Sequence, residues 1–297
     1  MIQSKSNKMN TTIKISAAIT MSAALFFSAS KIDDAIQNQV DQIAIQVSEG
    51  ASDFKQVVVI DHSRLAQKAG VEMTPSIVNI FSNPKVNTAL LQEDILVGLD
   101  LPYKVLSYAE PSQDAPNVAY ADAEFIKKRY EIESKSLKEY DKDLEKVTKH
   151  ISKDIISKVN TDAVNKHYGI IKINSKYSYE ETINKLKEAV LAQGDTQWFS
   201  EIDFQKDAQE RGISLTESKL LLFGGPAPGG KAMGQFPKLG LDAFCQKVLV
   251  YVDDQGNTNI AFNDIEAFSL LHYGKSALPH KVINGRLVNT FTKAIAE

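Results

Sequence analysis

Asp61-His62 is the one adjacent carboxylate–imidazole pair in the chain. An imidazole changes charge near neutral pH and is suited to proton transfer there, so Asp61 and His62 are the candidates for catalysis. Neighbours on a strand point to opposite faces, so the pair equally predicts Asp61 as the cap of a following helix. No G-x-S-x-G motif supplies a nucleophile. The run from Gly225 to Lys231 (GPAPGGK) fits the phosphate-loop pattern G-x-x-x-x-G-K. Its chemistry argues otherwise, because Ala232 stands where a magnesium-binding hydroxyl belongs and Pro226 and Pro228 each lack an N–H donor. Gly224, Gly225, Gly229, Gly230 and Lys231 remain candidates for binding a small ligand through backbone amides and one ammonium group. His150, His167, His272 and His280 show no metal-ligand spacing. Asp253-Asp254 lacks the calcium-loop pattern. No metal or cofactor is expected. Trp198 and Phe199 read as core.

The elements that must position these residues belong to a soluble globular chain of 297 residues, 43% hydrophobic and 24% charged. A net charge of −3 offers no basic field for nucleic acid. Cys245 is the single cysteine, so no intrachain disulfide framework exists. Lys5, Lys8 and Lys14 precede an apolar run at residues 15–27 (ISAAITMSAALFF) and then Ser28-Ala29-Ser30. This order predicts a secretory signal at residues 1–30, cleaved after Ser30. The run falls short of the roughly 20 apolar residues that a membrane span needs, so no span is expected after cleavage. Cleavage removes three lysines and no acid, taking the net charge from −3 to −6. The expected location is the bacterial periplasm.

The chain also repeats itself at a spacing of about 142 residues. Ile60-Asp61 returns as Ile202-Asp203, Gly70 as Gly212, and Phe81 and Pro84 as Phe223 and Pro226. Gly98-Leu99-Asp100 returns as Gly240-Leu241-Asp242, and Lys104-Val105-Leu106 as Lys247-Val248-Leu249. Asn83 thereby becomes the first-copy counterpart of Gly225 and joins the binding candidates.

The second copy reads as a strand at 168–173, a helix at 179–193 with Ser178 and Glu181 as a capping box, and a strand at 196–202. A helical stretch at 204–211 and a strand at 218–223 follow. A Gly/Pro loop at 224–234 leads to a hairpin, 248–253 and 258–262, and a helix at 264–273. The fold class is α+β: two tandem copies of a mostly antiparallel sheet covered by helices, joined by a long amphipathic helix. The expected segments are a first repeat at 31–125, a helical linker at 126–165, a second repeat at 166–275, and a tail with a short helix at 276–297. Copy one's first strand would lie at 24–29, inside the signal, so the mature repeat lacks it. The sheet edge left open needs a cover, for which residues 278–283 or the other repeat are candidates. Leu137, Tyr140, Leu144, Val147 and Ile151 step by three and four along the linker, predicting a narrow stripe packed on a domain rather than a dimerising coiled coil.

The ordered set Ile60-Asp61-His62, Gly70, Phe81-Ser82-Asn83-Pro84, Leu99-Asp100-Leu101-Pro102 and Lys104-Val105-Leu106 resembles the domain-of-unknown-function family 302. Copy one has Ser82 where the family usually has Gly. Copy two has Phe204 for the His, Gly225 for the Asn and Ala243-Phe244 for Leu-Pro. The resemblance implies a compact α/β domain that pairs with another copy, and no established activity.

Together these features predict an exported, non-catalytic small-ligand or protein-interaction module. Its site would be a groove between repeats, lined by residues 224–234 and 83–90. The alternative is a periplasmic, hydrolase-like enzyme with His62 as general base and one degenerate copy. The partner would be a small ligand or an envelope protein, and the chain a monomer with paired repeats or a homodimer.

Overall fold

The computed structural model describes residues 34–244 and 246–297. The expected export signal, the strand at 24–29 and Cys245 lie outside them. Each repeat builds a five-stranded sheet.

In the first repeat α1 (Asp34–Gly50) leads into β1 (Lys55–Asp61), α2 (His62–Lys68), β2 (Ser76–Ser82) and α3 (Pro84–Leu91). A 3₁₀ turn, Ile95–Leu99, precedes β3 (Tyr103–Ala109) and β4 (Pro116–Tyr120). The repeat closes with α4 (Ala123–Tyr130) and α5 (Ser136–Thr148), after which comes β5 (Ile156–Lys158). The second repeat runs β6 (Ile170–Asn174), α6 (Tyr179–Leu191), β7 (Gln197–Asp203), α7 (Phe204–Gln209), β8 (Ser218–Gly224) and α8 (Pro226–Met233). A 3₁₀ turn, Pro237–Gly240, then precedes β9 (Gln246–Val252), β10 (Thr258–Asn263), α9 (Ile265–Tyr273) and α10 (Leu278–Ile295).

The sheet orders are β1-β2-β3-β4-β5 and β6-β10-β9-β8-β7, antiparallel throughout except for β4–β5. The duplication extends to register. Lys55 pairs with Ser82 and Gln197 with Gly224, and both hairpins carry a bulge at the same place, Val57 and Phe199. Asp61 and Asp203 both cap the helix that follows, accepting from the backbone N–H of Arg64 and Lys206. Both caps match the reading of the sequence.

Four features differ from that reading. Residues 224–234 are mostly helix rather than loop. Gly225 is the N-cap of α8, and Pro226 takes the first helical position, where a missing N–H costs nothing. Ser178 caps α6 by position but makes no side-chain cap bond, so the predicted capping box is absent; the Ser175 and Thr182 hydroxyls bond each other instead, at 2.6 Å. The long linker helix is broken. Glu131 turns into the left-handed region at φ 53°, Ile132 is buried, and the Ser134 hydroxyl accepts from Ser136 N–H to restart the chain as α5. Lastly, β5 takes the place beside β4, whereas residues 278–283 form the start of α10 on the second repeat. The open edge is thus covered by the connector.

The stripe Leu137, Tyr140, Leu144 and Val147 is buried, and α5 packs on α1 and α3. In the second repeat α10 packs in the same way on α6 and α8. The helices read from sequence as linker and tail are therefore the same element of each repeat.

The two repeats share one continuous apolar core and pack reciprocally. Helix α2 lies on α8 and α3 on α7, while each 3₁₀ turn lies against the central strands of the other sheet. This exchange defines a pseudo-twofold axis. Near it, Asp100 and Asp242 are fully buried. Burial raises the Asp100 carboxyl, but the charges of Arg129 and Lys104 outweigh that and hold it below the usual range. Arg129 Nη1 donates to Asp100 at 2.7 Å and Nη2 to Asn263 of the other repeat at 2.8 Å, while Asn263 Nδ2 donates to the Asp242 carbonyl. Counted from the N-caps Asp122 and Asp264, Tyr130 and His272 occupy the same helical position. They bond the equivalent carboxylates Asp100 and Asp242.

Candidate functional site

His62 opens α2 and is carried by Asp61, whose carboxylate is engaged elsewhere. It accepts from Ser63 Oγ at 2.7 Å and Arg64 N at 2.8 Å and pairs with the Arg64 guanidinium. Asp61 therefore does not orient the imidazole. The His62 side chain passes across the repeat boundary to Gly240, whose missing Cβ would stand 3.0 Å from His62 Cδ2. The pseudo-equivalent contact sets Phe204 of the second repeat against Gly98 of the first. One of the two related positions thus holds an imidazole and the other a phenyl ring.

His62 lines a pocket with Leu65 of its own repeat and Phe199, Met233, Phe244 and Gln246 of the other. Gly224, Gly225, Gly229 and Gly230 complete the wall. Two of these glycines are required by close approach. A Cβ on Gly224 would stand 2.8 Å from the Phe199 ring, and one on Gly230 would stand 2.5 Å from Ala66 Cβ on α2. The pocket has about 30 Å³ of open volume, room for one or two water-sized groups. His62 Nε2 is buried there, and among the described residues no hydrogen bond of ordinary geometry reaches it. Burial in these apolar surroundings lowers the imidazole pKa to about 4, against the opposing effects of the Gly240 backbone and the Asp61 charge. His62 is accordingly neutral at pH 7. Among the described residues lining the pocket there is no carboxylate, hydroxyl or thiol beside the imidazole.

The other sequence candidates separate. Lys231 is exposed on α8 and does not line the pocket. Asn83 caps α3 and donates to Asp143 of α5 at 2.8 Å, in company with Tyr103 OH. Residues 83–90 lie along α3, which packs on α7 rather than on the His62 pocket. Trp198 is half-buried against Phe223, while Phe199 is turned into the pocket at the bulge. Reading the sequence placed Met233 in the groove with the rest of residues 224–234 but missed Phe199, Phe244 and Gln246. The available signal was divergence between copies, since Phe199 replaces Val57 and Gln246 replaces Tyr103.

A chain built this way is an internally duplicated α+β protein whose two repeats close on each other and form a pocket between them. It belongs to the DUF302 family, a domain of unknown function, whose profile matches residues 31–151 and again residues 171–293. It is similar to a solved structure, the uncharacterized conserved protein DUF302 from Bacillus stearothermophilus, with 18% identity and a TM-score of 0.36 over 42% of this chain and 98% of that one. A stretch of 53 residues is 38% identical to fluoride-specific ion channels FluC 1 of Brucella suis and of Brucella abortus, covering 18% of this chain and 21% and 20% of those proteins. The chain thus spans about a fifth of the length of these curated relatives. Among the described residues no helix is long and apolar enough to cross a membrane.

Proposed function

We propose that the protein is an exported, non-catalytic module that holds a small hydrogen-bonding ligand in the pocket between its repeats, with His62 as the polar anchor. The observation that carries this reading is the buried Nε2 of His62, without a hydrogen bond of ordinary geometry among the described residues, in a pocket walled by apolar side chains, glycine backbone and Gln246. A polar atom left unpaired in such a place is a cost that a bound group removes. Export rests on Lys5, Lys8 and Lys14 ahead of the apolar run at residues 15–27, and the periplasm is the proposed location. Native and denatured mass spectra of the protein isolated from the periplasm test both parts. The expected result is a denatured mass that begins at Lys31 and a native excess that vanishes on denaturation and is missing in His62→Phe. Identical native and denatured masses for the wild type would overturn the ligand reading, and an intact N-terminus the export reading.

A further inference from the structure

A second pocket opens between the repeats, and three of its lining positions are the pseudo-twofold counterparts of positions in the first. Val57 stands at the bulge where the first pocket has Phe199, Ser82 where it has Gly224, and Asp207 where it has Leu65. A smaller residue stands in place of a ring at the bulge, a hydroxymethyl group in place of a glycine hydrogen, and a carboxylate in place of an isobutyl group. This cleft has about 390 Å³ of open volume, against about 30 Å³ for the His62 pocket. Its floor lies between the outer strands of the two sheets, β1 and β7, whose edges carry no further strand.

Asp207 is 6% exposed and belongs to α7 of the second repeat. Its Oδ1 accepts from Lys55 Nζ of the first repeat at 2.7 Å, and its Oδ2 is buried without a partner among the described residues. Lys206 and Glu210, one helical turn apart, also line the cleft, and neither makes an ion pair among the described residues. Both signs of charge therefore stand within one small cleft, and a buried carboxylate oxygen there is short of a donor.

We propose that this cleft binds a small zwitterion of the free α-amino-acid class. The ligand ammonium donates to Asp207 Oδ2, and its carboxylate accepts from Lys55 and Lys206. A bare cation would add positive charge beside Lys55, Lys206 and Lys219, and a bare anion would add negative charge beside Glu201, Asp203, Asp207 and Glu210. A zwitterion gives each side an opposite charge, and both its ends form charge-assisted hydrogen bonds. The volume accommodates a side chain directed toward the opening. This site is independent of the His62 reading.

Isothermal titration of the full chain with each of the common L-amino acids tests the assignment, with ethylamine and propionate as single-charge controls for alanine. At least one amino acid saturates a single site per chain below about 10 mM, and the controls bind at least about tenfold more weakly than alanine or not at all. Asp207→Asn and Lys55→Met each weaken binding by about tenfold or more. Lys55 is half-exposed, so its substitution keeps the test alive if Asp207→Asn does not fold. His62→Phe leaves the affinity unchanged. No saturation by any amino acid, equal binding of ethylamine or propionate, wild-type affinity in the folded Asp207→Asn or Lys55→Met protein, or loss of binding in His62→Phe would each overturn it.

Discussion

Acid destabilises this protein through His62 in a way that a single substitution removes. The folded imidazole has a pKa of about 4, lowered by burial, whereas the unfolded chain takes the ordinary value near 6.5. A depressed pKa on a base means that the unfolded state binds the proton more tightly. The stability it supports is complete above about pH 6.5 and is lost as pH falls toward 4. Linkage between those two values gives a loss of about 2 kcal/mol between pH 7 and pH 5, approaching about 3 kcal/mol below pH 4. His62→Phe removes the titration and follows a precedent within the chain, since Phe204 occupies the equivalent place against Gly98. Urea unfolding followed by fluorescence of Trp198, the single tryptophan, supplies the assay. With a slope of about 2–3 kcal/mol/M, the wild-type midpoint falls by about 0.7–1 M more than the variant's on going from pH 7 to pH 5. Equal acid shifts in the two proteins would refute the burial of a neutral imidazole.

Further outcomes follow from the packing. Gly230→Val places a side chain against Ala66 and Val71 at the α2–α8 contact and lowers stability by about 1–3 kcal/mol, read as a fall in the urea midpoint. Arg129→Met leaves Asp100 buried without its guanidinium and costs about 3–5 kcal/mol, with a steep fall in melting temperature. Asp203→Ala removes a formed helix cap and costs about 1 kcal/mol, whereas Ser178→Ala, which removes no cap bond, leaves the midpoint within about 0.5 kcal/mol of wild type.

Periodicity made much of this architecture legible. The strands 196–202 and 218–223 and the helix at 179 are found within two or three residues of their expected ends, because apolar residues there recur with strand or helix spacing. The segment 224–234 escaped because five glycines and two prolines mask a helix, α8, whose first-copy counterpart, PKVNTALL, carries ordinary helix formers. The equivalence of α5 and α10 escaped because the two helices share position and not sequence. Strand β5 has three residues and no pattern of its own; it exists because an open sheet edge needs a partner. At the site, His62 and the glycines of the opposite wall were legible singly. Their meeting depends on the packing of α2 on α8, which no local spacing encodes. The charged cleft escaped for a related reason: Asp207 reads as a surface acid until its counterpart Leu65 is set beside it.

The connector between the repeats is not slack chain. Val159 N–H bonds Tyr120 O at 3.3 Å, Lys158 pairs with Asp122 at 3.0 Å, and Lys128 donates to the Thr161 hydroxyl at 3.0 Å. His167 N–H bonds Arg129 O at 2.6 Å, and its imidazole bonds Asp94 at 2.9 Å. Every one of these bonds ties the connector to the first repeat, so residues 156–167 move with that repeat as part of its structure. The free length between the two halves is thereby cut to the few residues between His167 and the start of β6 at Ile170.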